Sequence, residues 1–181
     1  MKVYCVDDNP LHRKKSKELV QHACDVKHVK NCEIIECANG KEFLDMCSGT
    51  SPALVMLDIN MPELDGLSTL VKLRKMNRIT KIIMVSSESA EAVLRFKSKE
   101  RSEISDQKKL ELLSKVVDRV RTDKEEEGKI NSVLEACGNL NLDPVVIARQ
   151  LGADEYIAKP YNIDDASSIV SNLISAASLF H

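Results

Sequence analysis

Short apolar runs alternate along the chain with segments whose apolar residues recur at helical spacing. The runs are continuous rather than alternating, which is typical of parallel strands buried on both faces. Asn9-Pro10 and Asp143-Pro144 each supply a helix N-cap followed by a proline at the first helical position. The predicted strands are 2–6, 33–36, 53–57, 81–85 and 155–158, and the predicted helices are 10–23, 40–47, 66–76, 144–151 and 163–179. This order predicts an α/β fold with a doubly wound, five-stranded parallel sheet of the flavodoxin-like type.

The alternation is interrupted by a charged segment, residues 91–141, which carries 11 basic and 11 acidic residues among 51. Two stretches within it have apolar residues at helical spacing, namely Leu110, Leu113, Val116, Val117 and Val120, then Ile130, Val133, Leu134 and Cys137. We expect a helical hairpin inserted between strand 4 and helix 4, and a charged loop without regular structure is the alternative. The remaining residues, about 130, are enough for one compact domain, so 1–181 is predicted to be a single domain with an insertion.

Composition narrows the class of protein. A net charge of −2, 3% aromatic residues and no tryptophan argue against nucleic-acid binding, which usually requires a basic surface. No apolar run is long enough to span a membrane, and no signal peptide is recognisable at the N-terminus. The six cysteines form no CxxC pair, so we expect reduced thiols and a cytoplasmic protein.

Polar residues stand where the predicted strands end. Asp7 and Asp8 follow the first strand, Asp58 the third, Ser86 the fourth and Lys159 the fifth. Ligands of doubly wound sheets bind beyond these strand ends. Three neighbouring carboxylates repel one another and favour a divalent cation, and an all-oxygen ligand set favours Mg²⁺, or Mn²⁺ in its place. A lysine and a hydroxyl facing the same cavity would suit a phosphoryl group. Any one of these residues alone would be an ordinary turn or cap residue.

Four sequence stretches carry a family resemblance: Val6-Asp7-Asp8-Asn9, LDINMPELDG at 57–66, MVSSE at 84–88 and GADEYIAKP at 152–160. With them the chain resembles the response-regulator receiver domain of two-component signalling, and most closely the single-domain CheY type. The stretches cover the chain apart from the charged insertion.

The resemblance implies a metal site and a phosphorylation site. Asp58 would be the phospho-acceptor. The side chains of Asp8 and Asp58 and the backbone carbonyl of Asn60 would bind Mg²⁺, and Asp7 would act through a water molecule. Such a site neutralises charge on the transferred group.

The resemblance also implies partners for the phosphoryl group. Lys159 and Ser86 would contact its oxygens, and the peptide bond after Lys159 would be cis. Ser86 and Tyr156 would form the switch that responds to phosphorylation. Asn60 and Glu88 stand at positions that influence the lifetime of the phosphate in the family.

The implied function is a signalling switch that catalyses only its own phosphorylation and dephosphorylation, and so is not an enzyme in the usual sense. A histidine kinase would phosphorylate it, and a target protein would bind at the helix 4–strand 5–helix 5 face, at the insertion, or at both. We expect no output domain after the last helix, which favours output by protein–protein contact in chemotaxis or motility. The alternative is a phosphorelay intermediate that passes the phosphoryl group to a histidine phosphotransfer protein. The run His12-Arg13-Lys14-Lys15 is expected to be a solvated helix face.

Overall fold

A computed structural model of the chain describes residues 1–76, 79–87, 111 and 144–178. Its centre is one five-stranded parallel sheet. The strand order is β2-β1-β3-β4-β5, and every neighbouring pair is parallel. The elements are β1 (Lys2–Val6), α1 (Pro10–Val26), β2 (Glu33–Cys37), α2 (Gly40–Cys47), β3 (Leu54–Asp58), α3 (Gly66–Met76), β4 (Lys81–Ser86), α4 (Pro144–Leu151), β5 (Glu155–Ala158) and α5 (Ile163–Ala177). The predicted doubly wound fold is confirmed.

Most element boundaries agree with the predictions to within one or two residues, and two differences concern the polar edge. Strand β4 ends at Ser86 rather than at Val85. Strand β3 ends at Asp58 rather than before it, so the aspartate is part of the hydrogen-bonded ladder and pairs with Val85. Helix α1 continues to Val26, one turn further than predicted. Its last turn lacks a glycine or proline that would end it earlier.

The sheet separates two apolar cores because alternate residues of each strand face opposite sides. In β1, Tyr4 and Val6 pack with α2, α3 and α4, while Val3 and Cys5 pack with α1 and α5. Tyr4 meets Phe43 of α2 edge-to-face, with 5.1 Å between the ring centroids. Helices therefore cover both faces of the sheet, and its carboxyl edge is formed by the ends of the strands.

The chain reverses its direction of winding at β1, which lies between β2 and β3. In such sheets the crevice used for ligands opens at the carboxyl ends of the strands next to this point. Val6 is in register with Leu57, so Asp7 and Asp58 follow at neighbouring positions along the edge. The fold thus brings together residues that are distant in sequence.

The predicted hairpin, 91–141, lies outside the described residues apart from Glu111, which is helical and exposed. The assignment of 1–181 to a single domain therefore stays a prediction. None of the helices in the described ranges is both long enough and apolar enough to cross a lipid bilayer.

Candidate functional site

Three carboxylates meet at the carboxyl edge of the sheet. Asp7, Asp8 and Asp58 each place an oxygen within 4.8 Å of the others. Asp7 and Asp58 are buried, whereas Asp8 is exposed. Buried carboxylates at this separation repel one another strongly unless a cation lies between them. The donor set consists only of oxygens and opens to solvent on the Asp8 side, which fits Mg²⁺ with bound water.

Lys159 supplies part of the missing positive charge. Its Nζ lies 2.6 Å from Asp7 Oδ2 and 3.2 Å from Asp58 Oδ1, and its side chain is only 7% exposed. Burial raises the pKa of Asp58, Lys159 lowers it again, and the negative charge of Asp7 raises it. One lysine thus compensates two buried carboxylates incompletely, which leaves the cluster attractive to a further cation.

A buried hydroxyl lies at the same edge of the sheet. Ser86, the last residue of β4, is fully buried, and its Oγ makes no hydrogen bond to the described residues. The backbone N–H of Lys159 donates to the Ser86 carbonyl at 2.7 Å, so the two residues lie side by side across β4 and β5. The Lys159-Pro160 peptide bond is cis, as the resemblance implies. Buried hydroxyls are rarely left unpaired, and a ligand oxygen would satisfy this one.

Residues of α1 hold the turn that carries Asp7 and Asp8. Asp7 Oδ1 accepts the N–H of Asn9 at 2.9 Å, and His12 Nδ1 lies 3.5 Å from the same oxygen. Arg13 donates from Nη1 to the carbonyls of Asp7 and Asp8, at 2.7 and 3.0 Å.

The expectation of a solvated face at the start of α1 is therefore wrong for Arg13, whose side chain is only 18% exposed. It is confirmed for Lys14, whose side chain is 72% exposed. Arg13 lies five and six positions after the two aspartates and contacts their backbone carbonyls, so no side-chain spacing rule indicates this contact.

The turn after β3 packs closely against Asp58. Asp58 Oδ1 accepts the N–H of Ile59 at 2.9 Å, and the N–H of Gly66 donates to the Ile59 carbonyl at 2.8 Å. A Cβ atom at Gly66 would lie 1.9 Å from the Asp58 carbonyl oxygen, so only glycine fits there. Asp65 caps α3 by accepting from the N–H and the hydroxyl of Ser68. The Asp-Gly pair thus begins the helix and sets the position of Asp58.

The remaining predicted site residues are distributed as follows. Asn60 is exposed just beyond Asp58. Tyr156 is completely buried in the core beneath α3 and α4, and it is in register with Met84, two residues before Ser86. Glu88 lies outside the described residues. The structure therefore gathers Asp7, Asp8, Asp58, Ser86 and Lys159 at one edge, and it places Tyr156 inside the sheet next to them.

A comparison with models of protein families identifies the family of the chain. The family model for the response regulator receiver domain matches residues 3–101, more than half of the chain. The chain is a member of the response regulator receiver domain family. The family match ends before β5, so the position of Lys159 within the receiver domain rests on the fold described above.

Individual relatives of this receiver domain agree with that assignment. The nitrate/nitrite response regulator protein NarL of Escherichia coli K12 is 33% identical over 84 residues, which is 46% of this chain and 37% of NarL. The chain thus covers well under half of that relative.

Two solved structures share the fold. A CheY-like receiver domain protein from Methanospirillum hungatei JF-1 superposes with a TM-score of 0.59 at 18% identity, covering 99% of this chain and 98% of the other. The response regulator TrrA from Thermotoga maritima, in complex with Mg²⁺ and a beryllium fluoride, superposes with a TM-score of 0.53 at 24% identity, covering 95% and 97%.

Proposed function

We propose that Asp58 accepts a phosphoryl group from the phosphohistidine of a histidine kinase in the cytoplasm, and that the phosphorylated receiver domain binds a target protein. This proposal rests on the groups that surround Asp58. They are two further carboxylates, a buried lysine 3.2 Å away, and a buried hydroxyl without a partner among the described residues. A negatively charged group that brings its own cation would satisfy all three features at once.

The metal in this proposal is Mg²⁺, or Mn²⁺ in its place. Asp8, Asp58 and the backbone carbonyl of Asn60 would hold it, and Asp7 would act through a water molecule. When bound, the ion neutralises charge on the transferred phosphoryl oxygens and on the carboxylates that face them. Lys159 already engages Asp7 at 2.6 Å, which supports an indirect role for Asp7.

The nucleophile in the proposed transfer is Asp58 Oδ2. Both contacts that the described residues make with this carboxylate go to Oδ1, from Ile59 N–H and from Lys159. Oδ2 forms the new bond to phosphorus, the phosphorus–nitrogen bond of the phosphohistidine breaks, and the imidazole of the kinase leaves with a proton. Burial raises the pKa of Asp58, and the positive charge of Lys159 partly opposes this shift and so favours the ionised nucleophile.

The proposed switch uses the buried hydroxyl of Ser86. A phosphoryl group on Asp58 would offer Ser86 Oγ an acceptor, and the gain of a charge-assisted hydrogen bond would favour movement of the end of β4. Tyr156 packs two positions away on the neighbouring strand, so a shift of β4 changes the space around its ring. Asn60 and Glu88 are proposed to tune how long the phosphate persists.

The partner and the pathway belong to the proposal as well. We place target binding on the α4–β5–α5 face and on residues 91–141, and we favour chemotaxis or motility signalling. Incubation with candidate kinases and histidine phosphotransfer proteins distinguishes this from a relay. Rapid loss of the phosphoryl group to a histidine protein would identify a relay intermediate instead.

The central test is phosphorylation by a small phosphodonor such as acetyl phosphate, with and without Mg²⁺. Intact-mass measurement should show one added phosphoryl group on the wild-type chain and none on Asp58→Asn. Asp45→Asn changes an aspartate of α2, away from the acidic edge, in the same way and serves as the matched control. Equal labelling of wild type and Asp58→Asn, or no Mg²⁺-dependent labelling of either, would show that the proposal is wrong.

A further inference from the structure

The five cysteines among the described residues are not equivalent. Burial raises the pKa of Cys5, Cys37 and Cys47, in the case of Cys37 to about 12. Cys24 is buried as well, whereas Cys32 is only half-buried. Within the described part of the chain, Cys32 is thus the thiol that combines access to solvent with a second thiol in contact.

The thiols of Cys24 and Cys32 are neighbours in the core between the sheet and helices α1 and α5, close enough for each to influence the pKa of the other. Cys24 belongs to the last turn of α1, and Cys32 immediately precedes β2. The connection between them reverses sharply, because His28 and Asn31 both adopt left-handed backbone angles, with φ of 53° and 61°. This reversal returns the chain beneath α1, so that Cys32 packs on the same core as Cys24.

Backbone hydrogen bonds fix both ends of this connection. The N–H of Val29 donates to the Cys24 carbonyl at 2.9 Å, and the N–H of Glu33 donates to the Met1 carbonyl at 2.9 Å. The fold therefore fixes the backbone on both sides of this cysteine pair. Pairing of cysteines by a fixed scaffold is the main structural requirement for a disulfide.

The different burial of the two sulfurs also separates their roles. Interaction with the Cys24 thiol lowers the pKa of Cys32, whereas interaction with Cys32, together with burial, raises the pKa of Cys24. The half-exposed sulfur is thus the better nucleophile, and the buried one keeps its proton as long as its neighbour is a thiolate.

We propose that Cys24 and Cys32 form a peroxide-sensitive redox site, in which Cys32 is oxidised first and Cys24 then closes a disulfide. This site is independent of Asp58. Cys32 lies before Glu33, which pairs with the first residue of β1, whereas Asp7 follows the last residue of that strand. Five residues of extended chain separate the two edges by about 17 Å.

The reaction is balanced with hydrogen peroxide as the oxidant. The Cys32 thiolate attacks one peroxide oxygen, a sulfur–oxygen bond forms, the oxygen–oxygen bond breaks, and hydroxide leaves to become water on taking up a proton. The Cys24 sulfur, which loses its proton, then attacks the sulfenic sulfur, a sulfur–sulfur bond forms, and the hydroxyl leaves as a second water molecule. Two electrons pass from the two thiols to the peroxide.

The first measurement is the rate at which each cysteine of the folded, reduced wild-type chain reacts with N-ethylmaleimide. Cys32 should react at least about tenfold faster than Cys5 and Cys37, because buried thiols react only in rare open forms. This comparison needs no variant. A Cys32 rate equal to that of the buried thiols would overturn the proposal.

The second measurement maps the oxidised protein. Trypsin cleaves after Lys27 and Lys30, so a disulfide between Cys24 and Cys32 joins peptide 18–27 to peptide 31–41. The second peptide also contains Cys37, and the Cys37→Ser variant removes that ambiguity. The joined peptides should form with peroxide and disappear with dithiothreitol.

Two variants separate the roles of the thiols. In Cys24→Ser, Cys32 should accumulate as a sulfenic acid that dimedone captures, and in Cys32→Ser the joined peptides should be lost and Cys24 should stay unmodified. Far-UV circular dichroism checks that each variant is folded. Absence of the joined peptides from oxidised, folded wild type, or their formation through Cys37 instead of Cys32, would overturn the proposal whether or not Asp58 is phosphorylated.

Discussion

Replacing Gly66 with alanine should destabilise the fold and disturb Asp58 together. The helix propensity of alanine would by itself stabilise α3, by up to about 1 kcal/mol. The structure instead predicts a loss of stability, because the new Cβ would lie 1.9 Å from the Asp58 carbonyl oxygen and 2.9 Å from Ile59 Cα. Backbone atoms on both sides must therefore move apart by more than about 1 Å, at a typical contact distance of roughly 3.5 Å.

The expected size follows from these contacts. Overpacking of a buried site costs about 1–3 kcal/mol and at times more, and here the obstructing atoms are backbone, which cannot rotate away. The hydrogen bond from Gly66 N–H to the Ile59 carbonyl ties the two segments, so the strain is transmitted to the residue after Asp58. We expect a net loss of about 2–3 kcal/mol in the free energy of unfolding.

The assay is urea unfolding followed by far-UV circular dichroism, since the chain has no tryptophan. Gly49→Ala is the matched control: Gly49 has φ of +77°, and a Cβ added there would meet no atom of the described residues within 4 Å, so it tests backbone angle without crowding. That variant should lose about 1 kcal/mol and keep its phosphorylation rate, whereas Gly66→Ala should lose both stability and rate. Wild-type stability of Gly66→Ala, or a loss no larger than that of Gly49→Ala, would refute the reasoning.

Three further predictions concern charged residues, two of them at the acidic edge and one, Arg74, at the opposite end of the sheet. Burial raises the pKa of Asp58 above the usual aspartate value of 3.8, so the folded state binds more protons than the unfolded state just above that pH, and stability falls as pH rises. In metal-free buffer, Asp58→Asn should therefore unfold at higher urea than wild type at neutral pH, and the difference should vanish below about pH 3.8. Arg13→Gln releases two carbonyls of the turn after β1 and should weaken Mg²⁺ binding about tenfold in calorimetry. Arg74→Lys loses a forked pair of bonds to the Gly152 carbonyl, at 3.0 and 2.7 Å, and one to Asp154, and should lower unfolding free energy by about 2 kcal/mol.

Each of these predictions has an outcome that contradicts it. A stability advantage of Asp58→Asn that persists unchanged at acid pH would mean that ionisation of the carboxylate is not its cause. Unchanged Mg²⁺ affinity in Arg13→Gln would show that the turn holds its shape without the arginine. Wild-type stability in Arg74→Lys would mean that an ammonium group replaces the planar contacts fully.

The sequence predicts the fold and the acidic edge well because both depend on local signals. Continuous apolar runs, proline after an N-cap, and polar residues at the end of each run define the strands and their order along the chain. Asp7, Asp58 and Lys159 could be placed at one edge because parallel strands share their carboxyl ends. The doubly wound fold followed from the alternation of strands and helices along the chain.

Contacts between remote residues could not be predicted in this way. The hydroxyls of Ser16 and Tyr161 lie 3.0 Å apart although 145 positions separate them, and neither residue is distinctive in sequence. The pairing of Cys24 with Cys32 depends on two left-handed residues in the connection, and the spacing of the cysteines matches no known motif. The partial burial of Arg13 was missed because basic residues at helix starts are usually solvated.

The pairing of β4 with β5 has a consequence for the order in which the chain folds. These two strands are neighbours in the sheet, yet Ile82 and Asp154, which join them through a hydrogen bond of 2.9 Å, are 72 positions apart. The other strands are joined by much shorter connections, so they can assemble while β5 is still absent. Bringing the two ends of the long connection together costs chain entropy before the contacts between β4 and β5 can offset that cost. The sheet should therefore be completed from the β1 side, with β5 added last, and Lys159 would reach Asp7 and Asp58 only in that final step.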